Sequence, residues 1–433
     1  MAHLWKSRSF LTDERPPFNH FHISSSTHCK PNNLKNPIII YLLLALLVSA
    51  CDIGPSIDKA ADIVTALRKE YAPDKRVAMF DIQVEKGNGG ILLKGTTNLA
   101  KAKEALIQQL KEAEFSVVDS IRQLPAAELA GKSYGVINVS VCNIRSKKGH
   151  SQELTTQAIL GTPIRVYEKV DSWFRVQTPD GYIAWLDEGG FTWMTEEAYK
   201  EWINAPKILY TKDFGFSYAR PDKNGPRVSD LVNGNILKSI GTEKDFIKVA
   251  YPDGRVAYIA AEEVVNYDTW LASRIPSTDN IVATAKTFLG RPYLWGGTSG
   301  KGVDCSGFTK MVFYLNGVQI GRDASQQVHA GVEIATDSTL ANLKAGDLLF
   351  FGRAATADKK ERINHVAIYL GNGQMIHSSG DAGVKIESLY RKDANFVAHR
   401  LKSFIRAKRM LISLGRNGVD LLRDLPAYNP ALL

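Results

Sequence analysis

Asp304-Cys305-Ser306-Gly307-Phe308 and, sixty residues later, His365-Val366-Ala367-Ile368-Tyr369-Leu370 are the two stretches that decide how this chain is read. Asp304 or Ser306 can cap a helix whose buried face is Phe308, Val312 and Leu315, which puts Cys305 in its first turn. A thiol is a strong nucleophile only as its thiolate, and a helix N-terminus and a nearby imidazole both favour that form. The second stretch alternates as a strand does, with His365 opening it. A helix-borne cysteine with a histidine base is the outline of a cysteine hydrolase.

Outward from this pair, residues 279–289 carry helical spacing with Ile281, Ala285 and Phe288 on one face. The Gly-rich loop Gly290-Arg291-Pro292-Tyr293-Leu294-Trp295-Gly296-Gly297 follows. A strand is predicted at 348–351, and the turn Gly371-Asn372-Gly373 predicts a hairpin. If Leu370 faces Gln374, then Ala367 faces His377, and His365 lies diagonal to His377 on the same sheet face, roughly 7–8 Å away by Cα. His377 is then the candidate to orient the ring of His365, with Ser378 and Ser379 as competitors. Val366, Ile368 and Ile376 point into the core. The hydrolase domain is expected over 278–410; the tail after Ile412 has no clear pattern.

Upstream, Asp171–Trp185 has a counterpart 73 residues later at 244–258, each with short alternating strands around a Pro-Asp-Gly turn, and Gly161 and Gly234 share the offset. These copies, placed at 132–198 and 206–267, read as small β-barrels and resemble bacterial SH3 domains. Helical spacing at 56–71 and 98–113, with strands at 77–84, 91–94 and 116–118, predicts a small α+β domain over 55–125 whose role is not legible. The run IIIYLLLALLVSA at 38–50 is too short for a comfortable membrane span and fits a signal-peptide core within residues 1–50. Its end, Leu47-Val48-Ser49-Ala50-Cys51, resembles a bacterial lipobox, which implies a lipid on Cys51. The polar stretch ahead of that core is unusually long for a signal peptide.

The formal charge of +9 falls to about +6 without residues 1–50 and suits an anionic surface, and no dense basic run favours nucleic acid. The four cysteines, Cys29, Cys51, Cys142 and Cys305, are spaced too widely for a zinc site or a disulfide framework. Cys142, in a strand-like run, reads as a small buried hydrophobe. No metal or cofactor is expected, and the protein is expected to act as a monomer.

Taken together, residues 281–402 resemble the NlpC-type family of papain-like cell-wall cysteine peptidases. The resemblance rests on Tyr293-Leu294-Trp295-Gly296-Gly297, on Asp304-Cys305-Ser306-Gly307-Phe308, on Leu343-Lys344-Ala345-Gly346-Asp347-Leu348, on His365-Val366-Ala367-Ile368-Tyr369-Leu370-Gly371 and on Met375-Ile376-His377. Ala345 departs from the family, where Pro is common. The implied fold is α+β: a papain-like cysteine peptidase domain preceded by two small SH3-like barrels and a small α+β N-terminal domain. The implied catalytic set is Cys305, His365 and His377. The order of signal, paired SH3-like domains and peptidase also resembles a subgroup that cleaves the γ-D-glutamyl–diamino acid bond of murein peptides with a free N-terminal L-Ala. In that subgroup an acidic residue after the nucleophile helix binds the peptide's amine, which points to Asp323 within Arg322-Asp323-Ala324-Ser325. An aromatic of the first SH3-like domain closes the site, which points to Tyr182. Tyr293, Trp295, Arg322 and Glu153 complete the expected substrate-binding set. An acylated N-terminus would leave Asp323 unpaired, at a cost on the order of 3–5 kcal/mol by analogy with a broken buried ion pair. The resemblance implies a lipid-anchored protein of the cell envelope, facing the periplasm or the outer surface. A wall-binding lipoprotein with an inactive domain, an amidase or acyltransferase on the same fold, and a general wall endopeptidase are the alternatives. A barrel over the cleft favours the peptidase and an open cleft the others.

Overall fold

Residues 56–337 and 339–432 are described by a computed structural model; Cys51, its lipobox and the signal segment lie outside the described residues. Ser56 caps the helix Ile57–Tyr71 by accepting from the backbone N–H of Lys59, and the helix buries Ala60, Val64 and Leu67. Strands Phe80–Gly87 and Gly90–Thr97 pair as a tight antiparallel hairpin, and the helix Ala100–Glu112 then crosses to Val117–Gln123, parallel to the second strand. Leu93, Leu106 and Leu110 join the first helix in one core. The first strand starts at Phe80 rather than at 77. Residues 76–77 spend their carbonyls elsewhere: Ile183 N–H donates to Arg76 O at 2.6 Å and Gln177 Nε2 to Val77 O at 3.2 Å. This segment is a strap laid along the first barrel.

The two barrels repeat strand for strand. Tyr134–Ile137, Pro163–Val170, Trp173–Gln177 and Ile183–Asp187 recur 73 residues on as Lys207–Tyr210, Ile236–Glu243, Phe246–Ala250 and Val256–Ala260, with the same strand order in each seven-stranded sheet. The alternation of each strand buries its apolar side, as Phe174, Val176 and Leu186 in the first copy and Val249, Ala257 and Ile259 in the second. A helix follows each barrel, Glu196–Asn204 and Tyr267–Ser273. Each is capped in sequence, by Thr195 and Asn266, and each was hidden by its shortness.

The last sheet is wholly antiparallel, running Val332–Ile334, Phe404–Arg409, Leu348–Arg353, Arg362–Gly371, Gln374–Ser379 and Gly383–Ser388 in order. One face, with Leu348, Phe350, Val366, Ile368 and Ile376, packs against helices Thr278–Thr287 and Cys305–Leu315. The tail expected to be featureless completes that core. Its strand Asp420–Leu421 pairs with Val318–Gln319, and Val419, Leu422 and Tyr428 are buried beside the helices. These apolar residues fall at no regular period, so no pattern announces them.

Gly161 tests how tightly the barrels meet. It and Gly254 both have left-handed φ, +85° and +87°, but a Cβ on Gly161 would lie 2.3 Å from Ile236 O of the second barrel while one on Gly254 would meet nothing. Gly254→Ala should therefore cost only the ~1–2 kcal/mol of the strained backbone. Gly161→Ala should cost a further ~1–3 kcal/mol from forced displacement. Equal losses in urea denaturation would show that the seam between the barrels yields freely.

Candidate active site

Asp304 N-caps the helix Cys305–Leu315, its Oδ1 accepting from Gly307 N–H at 2.7 Å. Its Oδ2 accepts from Gly296 N–H of the Gly-rich loop at 3.0 Å. Cys305 thus stands at the first turn, free of any disulfide and nearly buried, where it lines one cleft with His365. The hairpin register brings the imidazoles together. Ile368 pairs with Ile376 and Tyr369 with Met375, so His365 and His377 share a face as expected, although a bulge pairs Gln374 with Gly371 instead of Leu370. His365 does not open its strand: Arg362–Asn364 precede it and extend the strand into the cleft wall.

His365 Nε2 lies 3.0 Å from His377 Nδ1, and His377 Nε2 lies 2.9 Å from Glu387 Oε2. A carboxylate only accepts, so His377 carries its proton on Nε2 and accepts at Nδ1 from His365 Nε2–H. Nδ1 of His365 is left as the basic nitrogen available to the thiol. Glu387 escaped sequence reading. It sits on the strand after His377, two residues from Lys385, which is His377's cross-strand partner, so the alternation puts both on the histidine face. Bonds from His377 and Lys385 hold its carboxyl down at about 2 despite burial. Ser378 donates to Val303 O at 2.7 Å and is no competitor for the ring.

Burial pushes the Cys305 thiol up to about 11, with the Asp304 carboxylate adding to it, and the Val366 N–H, Arg322 and the Ser306 N–H only partly offset this. Burial likewise holds His365 well below the usual imidazole range, with the neighbouring His377 ring and the Arg400 guanidinium adding to the shift. Burial thus favours the neutral thiol and neutral imidazole and works against the thiolate that the helix N-terminus favours.

The first barrel lines part of this cleft. Glu153, Thr155 and Tyr182 line it together with Tyr293, Trp295, Cys305, Asp323 and His365. Trp295 Nε1 donates to Glu153 Oε1 at 2.8 Å although the indole is 62% exposed. Tyr182 OH donates to Asp323 Oδ2 at 3.4 Å, and burial with the Asp323 charge pushes the phenol's pKa up. Burial, with Cys305 and Asp304 beside it, pushes Tyr293 up to about 12. Asp323 N-caps the short helix Ala324–Gln327 in a capping box with Gln326. It is not the lone carboxylate expected: its side chain is 28% exposed and pairs with Arg76 at 2.7 Å. The cost of leaving it without a substrate cation is correspondingly smaller. Arg322, expected to bind substrate, does not line the cleft. It is 1% exposed, and its guanidinium is consumed by Asp304, Ser306 and Thr156 behind the nucleophile. Cys142 is buried in the first barrel's core, where burial and Asp187 push its thiol up.

A helix-borne thiol packed on an antiparallel sheet that presents an imidazole is the arrangement of a papain-like cysteine peptidase. Residues 290–401 match the NlpC/P60 family and residues 144–190 the bacterial dipeptidyl-peptidase Sh3 domain. Over 237 residues the chain is 34% identical to the gamma-D-glutamyl-L-lysine dipeptidyl-peptidase of Bacillus cereus (strain ATCC 10987 / NRS 248), covering 53% of this chain and 68% of that one. Its counterpart from Bacillus subtilis (strain 168) is 32% identical over 244 residues, covering 54% and 75%. The crystal structure of an NlpC/P60 family protein from Bacillus cereus ATCC 10987 superposes with a TM-score of 0.55 at 27% identity, over 64% of this chain and all of that one. The chain belongs to the NlpC/P60 family of cysteine peptidases, and its membership points to an extracytoplasmic location. No helix among the described residues is long and apolar enough to cross a membrane.

Alkylation reads the state of the thiol directly. A neutral Cys305 predicts that iodoacetamide inactivation accelerates roughly tenfold per pH unit from pH 6 to 9. A rate flat across that range would establish a preformed thiolate and overturn the neutral pair.

Proposed function

We propose that this protein hydrolyses the γ-D-glutamyl–diamino acid bond of murein peptides that present a free N-terminal L-Ala, releasing the dipeptide L-Ala-D-Glu. The observation that carries this reading is the shared cleft: Glu153, Thr155 and Tyr182 of the first barrel line the same groove as Cys305 and His365. A barrel wall beside the nucleophile limits what can extend past the substrate's N-terminus, as release of a dipeptide requires. It disfavours an amidase or an inactive wall-binding domain, both of which fit an open groove. The curated relatives named for γ-D-glutamyl-L-lysine peptidase activity support the bond.

In this reading Cys305 Sγ attacks the γ-glutamyl carbonyl carbon while His365 Nδ1 takes the thiol proton. Because burial disfavours the separated charges, transfer and attack proceed together once substrate has displaced water. The emerging imidazolium is held by His377, whose own Nε2–H is anchored on Glu387. Backbone N–H groups at the helix start stabilise the oxyanion. His365 returns the proton to the leaving amine, and water then hydrolyses the thioester. Asp323, with Tyr182 and Glu153, forms the subsite for the L-Ala amine; Tyr293 and Trp295 flank the peptide. Domain limits at 55–125, 132–198, 206–267 and 278–410, with the 411–432 tail packed on the last, complete the proposed layout. Cys51 is proposed to carry a lipid that anchors the protein in the envelope.

On L-Ala-γ-D-Glu-diaminopimelate, Cys305→Ala should abolish turnover without lowering the melting temperature. His365→Ala should be nearly as severe, and His377→Ala should keep more activity, since an orienting group is partly replaced by water. Glu387→Gln should be milder still, as the amide can still accept from His377. Mass spectrometry should find L-Ala-D-Glu as product; full turnover by Cys305→Ala, or cleavage at another bond, would sink the reading. Metabolic labelling with a fatty acid should mark the wild type but not Cys51→Ser. Label retained in that variant would exclude Cys51 as the acceptor.

A further inference from the structure

Arg76 lies far from Asp323 in sequence, in the strap before strand Phe80–Gly87, yet its guanidinium rests on that carboxylate. Nη1 donates to Asp323 Oδ2 at 2.7 Å and to Ser325 Oγ at 2.8 Å. Nε and Nη2 donate to Oδ1 and Oδ2 of Asp74, each at 2.8 Å. Asp74 in turn accepts from Gln326 Nε2 at 2.9 Å. The Arg76 carbonyl takes the N–H of Ile183, the residue after Tyr182. The N-terminal strap, the first barrel and the peptidase thus all fix this one cation, and little of its conformational freedom remains to be lost on binding.

We propose that Arg76 is a specificity-determining residue, a built-in counter-ion for Asp323 that moderates the preference of the cleft for a free amine over an acylated N-terminus. The proposal rests on the reading of Asp323 as the amine subsite. A carboxylate with no resident partner separates two such substrates steeply: the ammonium pairs with it, and the neutral amide leaves it desolvated and alone. With Arg76 in place the carboxylate is paired in both complexes. The ammonium must share Asp323 with a cation already in contact, which weakens its advantage through like-charge repulsion. Arg322 Nη1, 3.8 Å from Asp323 Oδ1, adds positive charge on the other oxygen. Arg76 lines the catalytic cleft on one side and, on the other, a cavity of about 1240 Å³ bounded by the first helix, the strap and Gln319–Gly321.

The test is the ratio of kcat/KM for L-Ala-γ-D-Glu-diaminopimelate to that for its N-acetyl form. In Arg76→Ala the ratio should rise on the order of tenfold, chiefly through KM for the free-amine peptide falling and that for the acetyl peptide rising. Arg76→Lys, which keeps the charge, should stay near the wild type. Asp74→Asn, which loosens the clamp, should shift the ratio in the same direction by less. Arg76→Met gives the same comparison with the aliphatic stem retained, should the alanine variant not fold. A ratio that is unchanged or lower in Arg76→Ala and Arg76→Met overturns the counter-ion role and leaves γ-glutamyl hydrolysis standing. A wild type that turns over neither peptide overturns the substrate reading and this proposal with it.

Discussion

The buried ion pair between Arg322 and Asp304 holds the cleft in register. Arg322 Nη2 donates to Asp304 Oδ2 at 2.7 Å and Nη1 to Oδ1 at 3.1 Å, while Nε reaches Thr156 of the first barrel at 3.0 Å. Asp304 is at once the N-cap of the nucleophile's helix and the acceptor for the Gly-rich loop. One bidentate contact therefore joins the nucleophile, the loop that flanks it and the barrel that lines part of the groove. Removing one partner of such a pair typically costs ~3–5 kcal/mol because the other charge is stranded. Here the loss would also release the helix start that fixes the thiol.

The barrel is keyed into the peptidase by further contacts of the same kind. Gln157 Oε1 accepts from Thr298 N–H and Ser299 Oγ, each at 3.0 Å, and Lys310 of the nucleophile's helix reaches buried Asp180 at 2.6 Å. Gly296 runs so close to Leu154 that a Cβ there would strike its carbonyl oxygen at 2.3 Å. The barrel residues that line the groove and the helix that bears Cys305 are thus held by one closely packed seam.

The chemistry was legible in sequence to the extent that it is local. Asp304 as cap, Cys305 in the first turn and the shared face of His365 and His377 follow from helix and strand periodicities acting over a few residues. The bulge at Leu370 shifted the turn without moving the histidines. Glu387 was within reach of the same alternation once the next strand was registered. Arg76 was not: it meets Asp323 only because the strap crosses the first barrel, and no spacing encodes a contact between two domains. Arg322 misled for a related reason. Its position beside Asp323 suggested the cleft, but adjacent residues at a helix start point in different directions, and Arg322 turns inward to Asp304 and Thr156. The short helices after each barrel and the 411–432 tail take their structure from burial in a core assembled elsewhere.

The duplicated barrels have come to use equivalent turns in opposite ways. Pro179-Asp180-Gly181 is docked: Asp180 pairs with Lys310 and Pro179 O accepts from Gln319 Nε2 at 3.0 Å. Its counterpart 73 residues on, Pro252-Asp253-Gly254, keeps Asp253 and Gly254 exposed; Asp253 pairs with its own neighbour Arg255, which reaches Asn138 O of the first barrel at 2.6 Å but touches nothing of the peptidase among the described residues. The two copies therefore meet different neighbours through the same turn. The second turn is consequently a natural port for grafting a tag or an additional module, whereas an insertion at the first would push the barrel off the nucleophile's helix.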